Sequence, residues 1–290
     1  MNSRHNNLVN SKDIYLCSFA SSNLTGVLER IGEQAISTDW FKKVYLYSEN
    51  DLSLDFKEKV SYLLKKNIRG FGYWIWKPQV ILQTLSQMKD GDVLLYADAG
   101  CHLNPGGIKM FKKYIDVVCK SNSGFLVFSS GRRGAKERQY TKGDIFDFFN
   151  ISTDSYIYNY GQTHATAFFM IKNEHTVDVI TRWRDIMINN ITLIDDSPSN
   201  KPNAPDFIEN RHDQSIFSIL MKQEKAVLYP VTQIGSYTFT FMDCFPIWAV
   251  RDKGLLRDKN TQMHPIRWYI RDFLLYIKNI FFNYLGEFIL

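Results

Sequence analysis

The residues of this chain best placed for chemistry are two carboxylates and the polar groups beside them. Asp98 closes the run Asp92-Val-Leu-Leu-Tyr-Ala-Asp98 and is followed by Ala99 and Gly100. A continuous apolar run of this kind reads as a buried parallel strand, and ligands of open α/β sheets collect outside the carboxyl ends of the strands. A carboxylate there can hold a metal ion or a ribose, or it can cap the turn that follows, as Asp before Gly often does. Asp213 stands in Arg211-His-Asp-Gln-Ser-Ile-Phe-Ser-Ile-Leu220, in the first turn of an expected helix. Capping alone would suit an Asp at that point and is worth about 1 kcal/mol. His212 and Gln214 flank it with further polar capacity. Gln162 and His164, in Gly161-Gln-Thr-His-Ala-Thr166, lead into an apolar strand and either face a ligand or simply form the turn.

The elements that must position these groups alternate. Ile14 to Ala20 reads as a strand, and Leu24, Val27, Leu28 and Ile31 read as the apolar face of a helix. Lys43 to Ser48 is a second strand with an amphipathic helix, Asp55 to Lys66, behind it. Pro78 suits a first helical turn, with Val80, Ile81, Leu82 and Leu85 as the face to be buried. After the Asp98 strand come a helix from Gly107 to Lys120, strands Phe125 to Ser129 and Ala165 to Ile171, and a helix from His175 to Ile188. This alternation predicts an α/β fold with a mostly parallel sheet flanked by helices. Asp195 to Pro205 carries three prolines and should be a loop, free to move over a site. The chain divides into a flexible 1–12, a catalytic-size domain over 13–262 and a C-terminal helical segment over 263–290.

Composition excludes other classes. With 290 residues, 45% of them hydrophobic and 15% aromatic, the chain can bury a substantial core and is neither disordered nor fibrous. A net charge of +5 falls short of a dedicated nucleic-acid binder. The four cysteines are spread without a C-x-x-C pair, which argues against a disulfide scaffold or a cysteine zinc site and fits a reducing cytoplasm. The polar, Asn-rich start lacks the apolar run of an export signal.

The segment Leu94-Leu-Tyr-Ala-Asp-Ala-Gly100, preceded by Asp90-Gly-Asp92, resembles the D-x-D strand end of GT-A-fold nucleotide-sugar glycosyltransferases, with Asp98 at the first position and Gly100 at the second. Gly70-Phe-Gly-Tyr-Trp-Ile-Trp-Lys-Pro78 and Arg211-His-Asp-Gln-Ser-Ile-Phe-Ser218 extend the likeness. In their order they resemble a group of bacterial surface-polysaccharide (O-antigen, capsule, lipopolysaccharide) glycosyltransferases, over roughly Ile14 to Leu228. The resemblance implies a GT-A-like, Rossmann-like sheet. It also implies transfer of a hexose-type sugar from a nucleotide sugar to a lipid-linked or oligosaccharide acceptor. On that basis Asp98 faces the ribose or metal, beside Tyr96 and Ala97, and Ser18 and Ala20 meet the nucleotide. Asp213, His212, Gln214, Gln162 and His164 are assigned to the acceptor side, with Asp213 the base of an inverting reaction or a positioning group in a retaining one. The implied cofactor is Mn²⁺ or Mg²⁺. Because Gly100 cannot ligate, His102 and His264, in Gln262-Met-His264-Pro, are the further ligand candidates beside Asp98.

A leaving diphosphate must be neutralised by a metal, by cationic side chains or by both. Lys77, between Trp76 and Pro78, and Arg132, Arg133 and Lys136, in the loop after the Phe125 strand, are the cations in reach; as an ordinary feature the latter three form a solvated basic turn. Trp74 and Trp76 either stack on a base or sugar or fill the core. Two other classes compete. A nucleotidyltransferase would show a Gly-rich phosphate loop near the first strand, and Ser18 to Asn23 has no glycine. A non-catalytic carbohydrate-binding or scaffold protein would account for Gly100. At the C-terminus, a helix over Ile266 to Leu290 gathers Ile270, Phe273, Ile277, Ile280, Phe281, Tyr284 and Phe288 on one face with Arg267, Arg271 and Lys278 at its edge. That pattern suits an anionic membrane surface on the cytoplasmic side ahead of the alternative, docking on the protein's own core or on a second subunit.

Overall fold

The structure is a computed structural model and describes residues 12–236, 238–253 and 266–285. Apart from Lys12, the expectation for the N-terminal segment falls outside these residues, as does His264.

Among the described residues eight strands are formed: β1 (Ile14–Phe19), β2 (Lys43–Tyr47), β3 (Val93–Ala97), β4 (His102–Leu103), β5 (Phe125–Ser129), β6 (Thr163–Ile171), β7 (Val227–Pro230) and β8 (Ile247–Trp248). Six of them make one sheet in the order β2-β1-β3-β6-β5-β7. β1 pairs in parallel with β2 and β3, and β5 with β7, while β6 runs antiparallel to both β3 and β5. The reversed strand matters for the site. β6 begins at the edge where its neighbours end, with Ala167 opposite Ala97 and the Asp98 amide donating to the Thr166 carbonyl at 2.8 Å. Gln162 and His164 are thereby delivered to the same edge as Asp98.

The helices that cover the sheet are α1 (Thr25–Thr38), α2 (Leu54–Val60), α3 (Trp76–Leu85), α4 (Ile108–Lys120), α5 (Glu174–Asn189) and α6 (Asp213–Gln223), and α7 (Ile266–Leu285) follows. β3 alternates between two cores, as its two-residue period demands. Leu94 and Tyr96 join Val80, Ile81, Trp183 and Phe217 on one face of the sheet; Val93, Leu95 and Ala97 join Ile31, Phe111 and Tyr114 on the other. Phe168 lies 4.7 Å from the ring of Phe217, which is itself 4.8 Å from Trp183. At about 1.5–3 kcal/mol for each large apolar side chain fully buried, this trio is a strong anchor for α5 and α6.

α2 stops at Val60, short of the expected Lys66, because successive turns (Leu63 amide to Val60 carbonyl, Ile68 amide to Lys65 carbonyl) swing Leu63 beneath Gly72. The Asp195–Pro205 segment is a loop as expected, but it is pinned. Asp144 accepts from the amides of Asn200 and Lys201, and Lys142 donates to the Thr192 carbonyl and to Asp195.

After β7 the chain returns across the sheet edge. β8 pairs with β4, and the Asn104 amide donates to the Pro246 carbonyl. Gly107 permits this close approach, since a Cβ there would lie 2.3 Å from the Pro246 nitrogen. α7 docks through Asp272 and Asn279, each 2% exposed and accepting from Thr238 and Thr232 respectively, and through the rings of Phe273 and Tyr276, which meet Phe241. Its apolar residues Ile266, Ile270 and Leu274 face outward. Among the described residues no helix is long and apolar enough to cross a membrane.

Candidate active site

The site is built at the carboxyl edge of β3, where three distant segments meet on one buried cation. Lys77 Nζ lies 3.2 Å from Asp98 Oδ1 and 2.9 Å from Asp213 Oδ2, and donates to the Ala165 carbonyl at 3.2 Å. Its side chain is 3% exposed, that of Asp213 is 5% and that of Asp98 is 30%, so Asp98 is the carboxylate open to a ligand. Tyr96 is fully buried and donates its hydroxyl to Asp98 at 2.7 Å.

Burial alone would lower the Lys77 ammonium, but Asp213 and Asp98 outweigh it and hold its pKa above the ordinary value. Burial drives the Asp213 carboxyl the other way, up to about 6, against the pull of Lys77. A carboxyl poised there is still ionised at neutral pH and close to the range in which a side chain exchanges protons readily.

Lys77 is aimed by an unusual backbone. Gly70, Phe71, Gly72, Tyr73 and Trp74 all have positive φ. The left-handed region costs a non-glycine residue roughly 1–2 kcal/mol, so surrounding contacts must enforce it. Trp76 donates from its indole to the Gly70 carbonyl and stacks on Phe19 with centroids 3.8 Å apart. Tyr73 and Trp74 pack their rings against His212, which also has a positive φ of 50° and precedes Asp213. The glycine-aromatic motif and the His-Asp motif are thus one packed unit. Trp76 belongs to the core.

Several expected ligand contacts are corrected by burial. Ser18 lies inside β1 and is 0% exposed, and Ala20 is buried in the core, because the strand runs on through Phe19. Tyr96 and Ala97 are enclosed in β3, so Tyr96 reaches the site only through Asp98. His212 is 2% exposed and hydrogen-bonds through Nδ1 to the Ile194 carbonyl; burial keeps its pKa low. Gln162 is fully buried and serves as a hub. Its Oε1 accepts from Gln214 at 2.7 Å and from Arg211 at 3.2 Å, and its amide nitrogen reaches Tyr140, Thr141 and Ser215. Gln214 is partly exposed and in turn accepts from the Ala165 amide. His164 bonds Ser130 at 3.0 Å, and burial together with Arg211, Arg251 and Lys222 pushes its pKa down to about 3, so it stays neutral. Arg132 and Arg133 sit exposed in the turn after β5, the ordinary reading of that basic loop.

Two cations at this edge were not singled out by sequence. Arg211 lies over the Tyr140 ring at 3.6 Å, and Arg251 acts electrostatically on His164, Arg211 and Cys101. Arg211 adjoins the His-Asp motif and could have been read from it; Arg251 sits in a stretch without any pattern. Beneath them Glu137 and Lys222, both 0% exposed, face each other at 3.4 Å and tie the Glu137–Tyr140 turn to α6.

A divalent ion does not fit this donor set. Asp98 Oδ1 is engaged by Lys77 and Tyr96, and the Lys77 charge stands against any divalent ion approaching the carboxylate. A Cβ at Gly100 would stand 3.3 Å from the Arg251 Cα, and the Asp252 amide donates to the Gly100 carbonyl, so chain rather than open space faces this position. His102 is turned to Arg30, Gln34 and Asp252. Among the described residues there is no group of three or more His, Cys, Asp or Glu that could hold a metal. The open hollow of about 520 Å³ lined by Phe148, Phe149, Arg182 and Asp185 contains neither Asp98 nor Asp213.

The sheet, with β6 alone reversed and helices on both faces, is the GT-A-like α/β architecture expected. No protein-family model matches the chain, and no curated protein matches it by sequence. Among solved structures it is similar to a glycosyltransferase involved in the glycosylation of the major capsid of PBCV-1, at 10% identity and a TM-score of 0.47, over 81% of this chain and 91% of that one. It is also similar to mouse xyloside xylosyltransferase 1, at 9% identity and a TM-score of 0.44, over 82% and 97% of the two chains. The galactosyltransferase LgtC, solved with donor and acceptor sugar analogs, is similar at 12% identity and a TM-score of 0.40, over 87% and 84%. These are likenesses of fold.

Proposed function

We propose that this protein is a glycosyltransferase that moves a hexose-type unit from a nucleotide sugar to a lipid-linked or oligosaccharide acceptor of a bacterial surface glycan. The observation that carries the reading is the meeting of Asp98 and Asp213 on Lys77 at the carboxyl edge of β3, with Asp98 left open. In this reading Asp98 receives the donor's ribose hydroxyls. Asp213, 5% exposed behind the more open Asp98, takes the proton of the acceptor hydroxyl as the new glycosidic bond forms. The bond from the sugar to the diphosphate breaks in the same step, and the leaving diphosphate meets Arg211 and Arg251. A nucleotidyltransferase has less support, because the β1 end offers buried Ser18 and Ala20 in place of a glycine-rich phosphate loop.

A ligand that binds only the folded state raises the melting temperature. Purified protein is therefore expected to melt higher with one class among UDP-, GDP-, CMP- and dTDP-sugars, and Asp98→Asn is expected to lose that shift. No shift with any of the four, with or without Mn²⁺, would remove the transferase reading.

The same proposal places the protein at the cytoplasmic face of the membrane. Ile266, Ile270 and Leu274 are exposed on α7, with Arg267, Arg271 and Lys278 exposed beside them. An interfacial helix has this arrangement. The protein should co-float with phosphatidylglycerol vesicles at low salt and less with phosphatidylcholine ones, and Ile270→Glu with Leu274→Glu should abolish flotation. Equal recovery of the double variant would discard the membrane role.

A further inference from the structure

We propose that the ammonium of Lys77 is the resident cation of this site, standing between Asp98 and Asp213 where a divalent metal ion would otherwise be held, so that nucleotide-sugar binding here is metal-independent. The part that concerns the nucleotide rests on the function proposed above; the part that concerns Lys77 does not.

The argument starts from geometry. Nζ is 3.2 Å from Asp98 Oδ1, 2.9 Å from Asp213 Oδ2 and 3.2 Å from the Ala165 carbonyl oxygen, three oxygens supplied by β3, α6 and β6. The ammonium donates to the Ala165 carbonyl and is ion-paired with both carboxylates, so its single charge faces two negative groups. The side chain is 3% exposed, and such a buried charge persists only when it is paired. The rest of the surroundings leave little for a metal to gain. Gly100 brings no ligand and is backed by the Arg251 Cα and the Asp252 carbonyl. The next carboxylate along the chain edge, Asp252, is engaged by Arg30 and His102. Arg251 adds positive charge beside His164 and Cys101, and a Mg²⁺ or Mn²⁺ ion would have to enter against it and against Lys77 with one accessible carboxylate to bind.

The test is a Mn²⁺ titration followed by the electron paramagnetic resonance of the free ion, on the whole protein alone and with each of UDP-, GDP-, CMP- and dTDP-glucose. The wild type is expected to lower the free-ion signal in no arm below that of the same Mn²⁺ and nucleotide sugar without protein. Removing the ammonium uncovers two facing carboxylates, so Lys77→Ala is expected to gain about tenfold or more in Mn²⁺ affinity, and the added substitution Asp98→Asn to cancel that gain. A role limited to packing would create no metal site. Wild-type binding of Mn²⁺ that disappears in Asp98→Asn would overturn the proposal, and this arm decides it even if Lys77→Ala does not fold. A nucleotide-sugar melting shift that vanishes in EDTA would overturn it as well while leaving the transferase reading in place. The complete lack of a nucleotide shift would end the transferase reading and leave Lys77 to be judged on the Mn²⁺ arm.

Discussion

Asp213→Asn is expected to lower sugar transfer by about two to four orders of magnitude, the range that a positioned proton acceptor contributes, with far-ultraviolet circular dichroism unchanged. The wild-type rate should also climb through an acid limb near pH 6 and then level off. The sign follows from the site. Burial raises the Asp213 carboxyl from 3.8 to about 6, so below that pH it carries a proton, can accept none and no longer balances Lys77; above it, it is ionised and competent. The same shift works against the fold. A carboxyl that holds its proton more tightly when folded contributes stability that is present below about pH 4 and lost as pH rises through about 6. Activity and this part of stability thus move in opposite directions across one window. The measurement is a pH–rate profile of wild type and variant with the donor class that shifts the melting point. Full activity in Asp213→Asn, or a flat profile between pH 5 and pH 7, would take Asp213 out of the chemistry.

Breaking the Glu137–Lys222 pair should give the largest loss of stability. Both side chains are fully buried and 3.4 Å apart, and Lys222 also reaches Ser218 at 3.3 Å. Burial pushes the Glu137 pKa up and the Lys222 pKa down, each toward its neutral form, and the partner charge resists in both cases. Lys222→Met leaves a carboxylate with no counter-charge in the interior and is expected to cost about 3–5 kcal/mol. Glu137→Gln combined with Lys222→Met should recover much of that, because a buried ion pair exchanged for neutral groups is often close to neutral overall. Urea unfolding of both single variants and the double variant reads the coupling directly. Additive losses would show that the two charges do not compensate each other.

The frame of the site was legible because it depends on local pattern. The continuous apolar run of β3 placed Asp98 at a strand end, and the polar start of α6 placed Asp213 in a first turn. What local pattern does not contain is which distant groups share one space. Lys77 was singled out as a cation for the diphosphate, yet its charge is taken up inside the protein by Asp98 and Asp213. Gln162 was expected to face a ligand, but the antiparallel entry of β6 buries it against Arg211, Gln214 and Ser215. His102 follows Asp98 closely in sequence, and the turn through Gly100 directs it instead to Arg30 and Asp252. Nothing near Arg251 in the chain hints that it stands against Gly100. Likewise, helical spacing did not reveal that Asp272 and Asn279 of α7 would be buried, or that Ile266 and Leu274 would be exposed beside Ile270.

The hydrogen bond from the Asp252 amide to the Gly100 carbonyl ties the site to backbone outside the main sheet, whose last strand ends at Pro230. A change in that backbone would therefore reach the turn beside Asp98 without altering Lys77, Asp98 or Asp213.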